Sequence, residues 1–539
     1  MNKIVNPVLV GFHPDPSLIR VGDDYYMATS TFEWFPGVEI HHSRDLIHWR
    51  LTARALTESS QVNLRGNVAS GSIWAPAISY DDGLFYLLFT DVKSRSRVYK
   101  DLHNYIICSK SIEGPWSQPV RLNGSGFDPF LFHDDDGRKW LLNMRWDFRK
   151  NHNNFSGIIM QEYDAKSQSL IGPIHEIYKG TPVGVTEGPQ LYKRGEFYYL
   201  LTAEGGTGVQ HMVTLARSRN LTGPYETDPH FPLMTTAHDP TYPLQQAGHG
   251  TLVETQLGEW YMAHLCTRPF SDISLMNPLG RETAIQKCIW TEDGWLRLSQ
   301  GGKLPALETE APNLPSHPFP AEEPRDHFDR EDIGLAYQSL RVPFDPSWVS
   351  LTDRPGFLRL RGRESLASLH DQSMVARPIQ HFHCSVETCM EFKPESFYEM
   401  AGLVCYYDDG DYYYLRVTGD EIRGVTLGVI LSKAGKYDEI STMQLSVVDW
   451  KQYYLKAVIH GRDLIFYASP DGQEWTAVCN PQDFGTLSDE YGGKLGFTGA
   501  FVGICVQDLD RQSKEAWFDY FEYLPLESLV DHTSPQKEK

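Results

Sequence analysis

One unit recurs five times in the first three hundred residues, and it narrows the possible folds more than any other feature. Each copy is an apolar run, a turn rich in Gly and Asp, and an aromatic-rich run. Pro16-Ser17-Leu18-Ile19-Arg20 turns at Gly22-Asp23-Asp24 into Tyr25-Tyr26-Met27-Ala28. Ala77-Ile78-Ser79-Tyr80 turns at Asp81-Asp82-Gly83 into Leu84-Phe85-Tyr86. The later copies turn at Asp136-Gly137, Arg194-Gly195-Glu196 and Gly258-Glu259, between runs such as Gln190-Leu191-Tyr192 and Phe197-Tyr198-Tyr199-Leu200. Runs of this kind around such turns are β-hairpins. The turn glycines stand at 22, 83, 137, 195 and 258, in steps of 61, 54, 58 and 63 residues. That is room for about four short strands per unit, which predicts a five-bladed β-propeller. Ser43-Arg44-Asp45-Leu46-Ile47-His48-Trp49, Ser111-Ile112-Glu113-Gly114-Pro115-Trp116 and Arg219-Asn220-Leu221-Thr222-Gly223-Pro224-Tyr225 are expected to be traces of outer strands. Long capped amphipathic helices are missing from the pattern, which argues against an α/β barrel.

With 539 residues the chain exceeds what one core can organise. After Leu304 the pattern stops, and Pro305, Pro312, Pro315, Pro318, Pro320 and Pro324 mark an extended linker. From His327 alternating strands return without the blade signature, as in Phe357-Leu358-Arg359-Leu360-Arg361 and Leu464-Ile465-Phe466-Tyr467-Ala468, with hairpin turns at Asp409-Gly410-Asp411 and Pro470-Asp471-Gly472. These features predict an all-β chain: a five-bladed β-propeller over 1–304, a Pro-rich linker over 305–326, and a lectin-like β-sandwich over 327–539. From Asp531 the chain is polar, and a frayed end is expected.

Lys and Arg total 49 against 70 Asp and Glu, a net charge of −21, which disfavours nucleic acid and anionic lipid as partners. No run approaches the roughly 20 apolar residues of a membrane span. The first ten residues lack the apolar stretch and cleavage site of a signal peptide. None of the eight cysteines forms a C-x-x-C pair. The expectation is a cytoplasmic protein with reduced, mostly buried thiols. Gly205-Gly206-Thr207-Gly208 is a glycine cluster without the following helix of a nucleotide site.

Reading back from each turn to the start of its first strand gives Asp15, Trp74, Asp128, Glu187 and His249. First strands line a propeller's channel, so these side chains are expected to converge on the axis. Taken singly, Asp15 and Asp128 beside prolines are turn formers, Glu187 a solvated carboxylate, and Trp74 and His249 core residues. Their equivalence across the repeat favours function, because three acids around one axis repel. Glycoside hydrolysis needs one protonated acid at the leaving oxygen and one ionised carboxylate as base or nucleophile. A third carboxylate raises the acid's pKa. Aromatic faces stack on sugar rings, and Phe32, Trp34, Phe35, Trp74, Phe127 and Trp146 lie near these positions in sequence, though several of them must be core.

His13-Pro14-Asp15-Pro16-Ser17, Ser30-Thr31-Phe32-Glu33-Trp34-Phe35-Pro36-Gly37, Trp74-Ala75-Pro76, Gly126-Phe127-Asp128, Thr186-Glu187-Gly188-Pro189, Leu279-Gly280-Arg281-Glu282-Thr283 and Gly496-Phe497-Thr498-Gly499-Ala500-Phe501 together resemble glycoside hydrolase family 43, and within it the two-domain β-xylosidases. The resemblance implies an inverting mechanism with Asp15 as general base, Glu187 as general acid and Asp128 as the carboxylate that tunes the acid and orients substrate. It implies that Arg281 reaches the base and the sugar hydroxyls. It makes Phe32, Trp74 and Phe127 pocket walls, with Trp146 among the substrate-binding residues, His249 the channel histidine, and Phe501 the residue by which the sandwich closes the pocket. Gly188 is read as leaving the acid's backbone freer. The implied activity is exo-cleavage of xylobiose and short β-1,4-xylo-oligosaccharides from the non-reducing end, with a side activity on α-L-arabinofuranosides. A homo-oligomer, dimer or tetramer, is expected.

Three other readings compete: an α-L-arabinofuranosidase as the main activity, a retaining fructan or sucrose hydrolase, and a non-catalytic carbohydrate-binding protein. Pro14-Asp15-Pro16-Ser17 differs from the Asn-Asp-Pro-Asn motif of the fructan enzymes, and a pure binder has no need of three converging acids. No cofactor is required. His249 could approach a channel ion, and Asp329 and Asp519 could share a structural calcium, but solvated surface is the simpler reading of that pair and no metal ligand is assigned.

Overall fold

The structure is a computed structural model that describes residues 2–95, 98–270, 275–440 and 445–526. The polar end expected from Asp531 lies outside the described residues. Within them the secondary structure is strand, with only single 3₁₀ turns such as Phe484–Thr486 and Tyr491–Gly493.

Five antiparallel sheets form the blades. Blade I holds Ser17–Val21, Asp24–Thr29, Gly37–Ser43 and Arg50–Leu56; blade II holds Ser72–Asp81, Leu84–Val92, Leu102–Ser109 and Val120–Asn123. Blade III holds Phe130–His133, Lys139–Trp146, Phe155–Asp164 and Ser169–Tyr178. Blade IV holds Glu187–Arg194, Phe197–Glu204, Met212–Ser218 and Glu226–Thr227, with Met234–Thr235 added beside its third strand. Blade V holds Gln245–Glu254, Trp260–Thr267, Glu282–Trp290 and Leu296–Leu298. The innermost strands touch in ring order, and blade V returns to blade I. The ring is fastened by the N-terminal segment, where Val8 N–H donates to Thr283 O at 2.8 Å and His13 N–H to Arg281 O at 2.9 Å. One expectation is corrected. Residues 44–49, 111–116 and 219–225 are not strands but the corners between third and fourth strands, closed in the latter two by the cis bonds Gly114-Pro115 and Gly223-Pro224.

The proline-punctuated stretch runs along blades V and I. Its Glu308–Glu310 strand pairs with Lys3–Val5, and His317 N–H donates to Asp45 Oδ2 at 2.7 Å.

Two sheets then form the sandwich. One has the order Ser373–Pro378, Phe501–Asp508, Glu399–Asp408, Asp411–Asp420, Gly424–Lys433, Lys436–Glu439. The other centres on Glu515–Pro525 flanked by Leu358–Arg361 and His383–Glu391. The inner strands of the first sheet are buried on both faces. Cys405, Tyr413, Leu415, Val502 and Ile504 pack into the core between the sheets. Their neighbours Val404, Tyr406, Tyr412, Tyr414, Phe501 and Cys505 pack against the propeller, in one cluster with Phe32, Trp34 and Trp74. Strand alternation therefore gives this sheet two buried interfaces, and explains why Tyr412-Tyr413-Tyr414 carries three aromatic rings in a row. Ser339–Leu340 pairs with Trp34–Phe35 and stitches the two units together.

Candidate active site

The five strand entrances share a backbone trait. Asp15, Ala75, Asp128, Gly188 and His249 all have left-handed φ, between 33° and 56°. The trait falls on the acid or imidazole in blades I, III and V, and on the residue after Trp74 and Glu187 in blades II and IV. Register breaks follow between Trp74 and Ala77, Glu187 and Gln190, and Gly248 and Thr251. A left-handed residue with a bulge re-aims side chains away from regular alternation, here toward the channel.

Asp15 is the best-held carboxylate. Its Oδ1 lies 2.8 Å from Arg281 Nη1 and 3.7 Å from His249 Nδ1. Its Oδ2 accepts from Ser30 Oγ at 2.7 Å, and that hydroxyl accepts from Ala75 N–H at 2.8 Å. Burial works to raise the Asp15 pKa, but Arg281, His249 and the Ser30 hydroxyl outweigh it and hold the carboxyl below its ordinary value. Asp128 Oδ2 accepts from Gly188 N–H at 2.9 Å, which ties it to the residue after Glu187. Burial, then the charge of Asp15, push Asp128 up to about 7. Burial, then Asp128 and Asp15, push Glu187 well above the usual carboxylate range. The channel thus displaces Asp15 and Glu187 in opposite directions from the ordinary carboxylate pKa, the split that acid–base chemistry on a neutral substrate requires.

Imidazoles back these acids. A Cβ on Gly188 would lie 3.1 Å from His249 Nε2, so with φ of +56° glycine here answers close approach rather than looseness, contrary to the sequence expectation. Behind His249 stands His211, which the repeat logic missed because it sits outside a first strand. Its Nδ1 is 3.1 Å from Gln246 O, while its Nε2 is buried without a partner. Burial, then His249 and Arg281, lower His211 to about 3, so the ring is neutral. The sequence trace of His211 is Gly248, where a Cβ would come within 2.2 Å of the ring.

Aromatic rings wall the channel mouth. Trp74 meets Phe127 edge-on at 5.3 Å between centroids and Phe497 at 5.4 Å, and Phe32 lies 6.1 Å from Phe497. The Arg281 guanidinium faces Phe32 at 5.4 Å and Phe497 at 5.5 Å, and its Nη2 donates to Phe497 O at 3.0 Å. Trp146 stands farther out, 6.4 Å from Phe127, with Nε1 donating to Val98 O at 3.0 Å and Lys100 Nζ 4.7 Å from its ring.

Phe501 is not the closing residue. It is fully buried, stacked on Trp34 at 3.6 Å and 12°, with Phe12 at its edge. Its parity in strand Phe501–Asp508 turns it into the interface between propeller and sandwich. Phe497, just before that strand, is the sandwich ring that reaches Arg281, Phe32 and Trp74.

Asp329 is exposed, and neither it nor Asp519 belongs to the three-ligand cluster found among the described residues, which is His13, Glu39 and His41. There Glu39 is already paired with Arg54 at 3.0 Å and His13 at 2.7 Å, a setting hostile to a further cation. A cavity of about 1230 Å³ opens between Arg50–Leu56 and the start of the sandwich, but it contains none of the channel carboxylates.

Residues 4–296 match the family described as Glycosyl hydrolases family 43, and residues 325–524 match the Beta xylosidase C-terminal Concanavalin A-like domain. A crystal structure of a xylan beta-1,4-xylosidase from Bacillus halodurans is 56% identical with a TM-score of 0.95, covering 97% of this chain and 100% of that one. A xylan 1,3-beta-xylosidase from a Vibrio species is 46% identical across 97% of this chain and 99% of its own length. A xylosidase/arabinosidase from Humicola insolens is 45% identical across 98% and 99%.

Proposed function

The chain belongs to glycosyl hydrolase family 43, and from that membership we propose that it is an exo-acting, inverting β-1,4-xylosidase that releases xylose from the non-reducing end of xylobiose and short xylo-oligosaccharides. The observation that carries this reading is three buried carboxylates around one channel, with Asp15 held by Arg281 and Ser30 and Asp128 tied to the backbone beside Glu187, and with the pKa of Asp15 pushed down and that of Glu187 pushed up. Glu187, protonated, gives its proton to the glycosidic oxygen as the bond breaks. Asp15, ionised and oriented by Arg281 and Ser30, takes a proton from the water that attacks the anomeric carbon from the opposite face. Asp128, tethered to Gly188 N–H, repels charge on the acid as it ionises and offers its other oxygen to a sugar hydroxyl. Both charged steps take place among groups already fixed in a low-dielectric site, so little reorganisation is needed during reaction.

The exo reading rests on Phe497. A bare propeller face is an open cleft; Phe497 lies beside Phe32 and Trp74 and narrows it, which suits a terminal ring. The 1,4 linkage follows the Bacillus halodurans protein, and the Vibrio protein's 1,3 linkage is the alternative. A weaker α-L-arabinofuranosidase activity suits a pocket of this kind, and the Humicola protein carries both activities in its name. The eight free thiols support a reducing, cytoplasmic setting, and no helix among the described residues is long and apolar enough to cross a membrane. Ile171 and Ile174, exposed on the outer strand of blade III, suit self-association into a dimer or tetramer.

Xylopentaose sampled early tests the activity. Xylose with xylotetraose is the expected pair; xylobiose with xylotriose would mean internal cleavage. Parallel rates on β-1,3-xylobiose and an aryl arabinofuranoside rank linkage and side activity.

A further inference from the structure

A file of aromatic rings runs outward from the carboxylates, and its exposure rises along the way. Trp74 and Phe127 are buried, Trp146 is half-buried, and beyond them Phe148 and Tyr99 are 50% and 69% exposed. Phe148 lies two residues past Trp146, and Tyr99 follows Val98, whose carbonyl accepts from Trp146 Nε1. The two outer rings meet at 5.1 Å between centroids and 55°. Their backbone is pinned: Asp147 N–H donates to Asn154 O at 2.8 Å, and Ser94 Oγ donates to Tyr99 O at 3.3 Å. Lys100 sits over the Trp146 ring, so the unoccupied aromatic surface at the mouth is the outer pair. Large rings left in water next to a ligand pocket cost solubility unless something covers them.

We propose that Tyr99 and Phe148 form a stacking platform for the third sugar of a linear xylo-oligosaccharide, one ring beyond the leaving xylose. This rests on the β-xylosidase reading above and adds to it a preferred substrate length. The occupant is a pyranose because the pair is tied to Trp146 of the pocket wall, Tyr99 through the neighbouring Val98 carbonyl and Phe148 two residues along the chain, and the C–H face of a sugar is the part of the substrate that benefits from an aromatic partner in water. A neutral sugar also needs no charged partner at this rim.

The test compares, within each protein, kcat/KM for xylotriose with kcat/KM for xylobiose, using the full-length wild type, Tyr99→Ala, Phe148→Ala and the double variant. The wild-type ratio should exceed one by about 3- to 10-fold, the range of a single aromatic stacking contact. It should fall toward one in the double variant, and Tyr99→Phe with Phe148→Tyr should restore it. Because the readout is a ratio, a general loss of folded enzyme does not imitate the effect, and Tyr99→Ala alone, at an exposed ring, carries the test if Phe148→Ala disturbs its loop. The same ratio in wild type and double variant overturns the platform. Failure of the wild type to cleave xylobiose overturns the β-xylosidase reading itself, which separates the two.

Discussion

Gly280 and Gly499 meet through bare backbone: a Cβ on Gly280 would lie 2.8 Å from the Gly499 Cα, and one on Gly499 would lie 2.7 Å from Leu279 O. Gly280 immediately precedes Arg281, and Gly499 follows Phe497 by two residues. The contact therefore holds the arginine that fixes Asp15 against the sandwich segment that narrows the pocket, and Ala500 N–H donating to Pro278 O at 2.7 Å seals it. Gly499→Ala forces the backbones apart at a cost of about 1–3 kcal/mol. The expected result is a lower kcat/KM, by about 10-fold, with the propeller's strand signal in circular dichroism retained. Full activity in Gly499→Ala would mean that the junction does not position the site.

Phe497 and Phe501 separate function from stability. Phe501→Ala empties a site stacked on Trp34 and should destabilise the fold by about 3–5 kcal/mol. Phe497→Ala leaves that core intact and opens the pocket, so kcat/KM should drop about 10- to 100-fold with little change in denaturant midpoint. Urea titrations beside steady-state kinetics read both effects.

The proton donor is assigned by leaving-group dependence. Glu187→Gln should lower kcat on xylobiose by about 10²- to 10⁴-fold. It should cost far less with an activated aryl leaving group that departs without protonation. In the wild type, proton NMR at early times should show the α-anomer of xylose, since an inverting pair leaves roughly 6.5–9.5 Å between carboxyls for a water. A β-anomer as first product would make Asp15 a nucleophile instead.

The pH profile should be a bell. Asp15 must be ionised, and its lowered pKa puts the acid limb below the ordinary aspartate range. Glu187 must be protonated, and activity is lost as pH rises through its raised pKa. Asp128→Asn removes a like charge beside the acid, so the alkaline limb should move to lower pH; an unmoved limb in a variant that still binds xylose would remove the tuning role.

Stability has its own pH dependence. Asp128 and Glu33 both have folded pKa values near 7, raised first by burial, against ordinary values of 3.8 and 4.5. The folded state therefore holds protons that the unfolded state has released. Their contribution is fully present below about pH 4 and is lost as pH rises to about 7. Melting temperature should fall across that window from these two groups, and Glu33→Gln should flatten part of the slope.

Sequence alone determined much of this protein. Hairpin turns at regular intervals dictate strands, and strands repeated five times dictate blades, so Asp15, Asp128, Glu187 and His249 could be placed around one axis by counting from their turn glycines. That inference needs only local chemistry and symmetry. Outside the repeat it had no purchase. The corners at 44–49, 111–116 and 219–225 share composition with strands, and only hydrogen bonding distinguishes the two. His211 stands just before the third strand of blade IV, where no count from a turn finds it. Phe497 and Phe501 lie in one motif, four residues apart, and which ring reaches the pocket depends on where strand Phe501–Asp508 begins and which face it turns to the propeller. The meeting of Gly280 with Gly499, more than two hundred residues apart, is a property of two surfaces pressed together. Tertiary structure decided these points because docking sets the distance between backbones, and no local pattern in either segment encodes its partner.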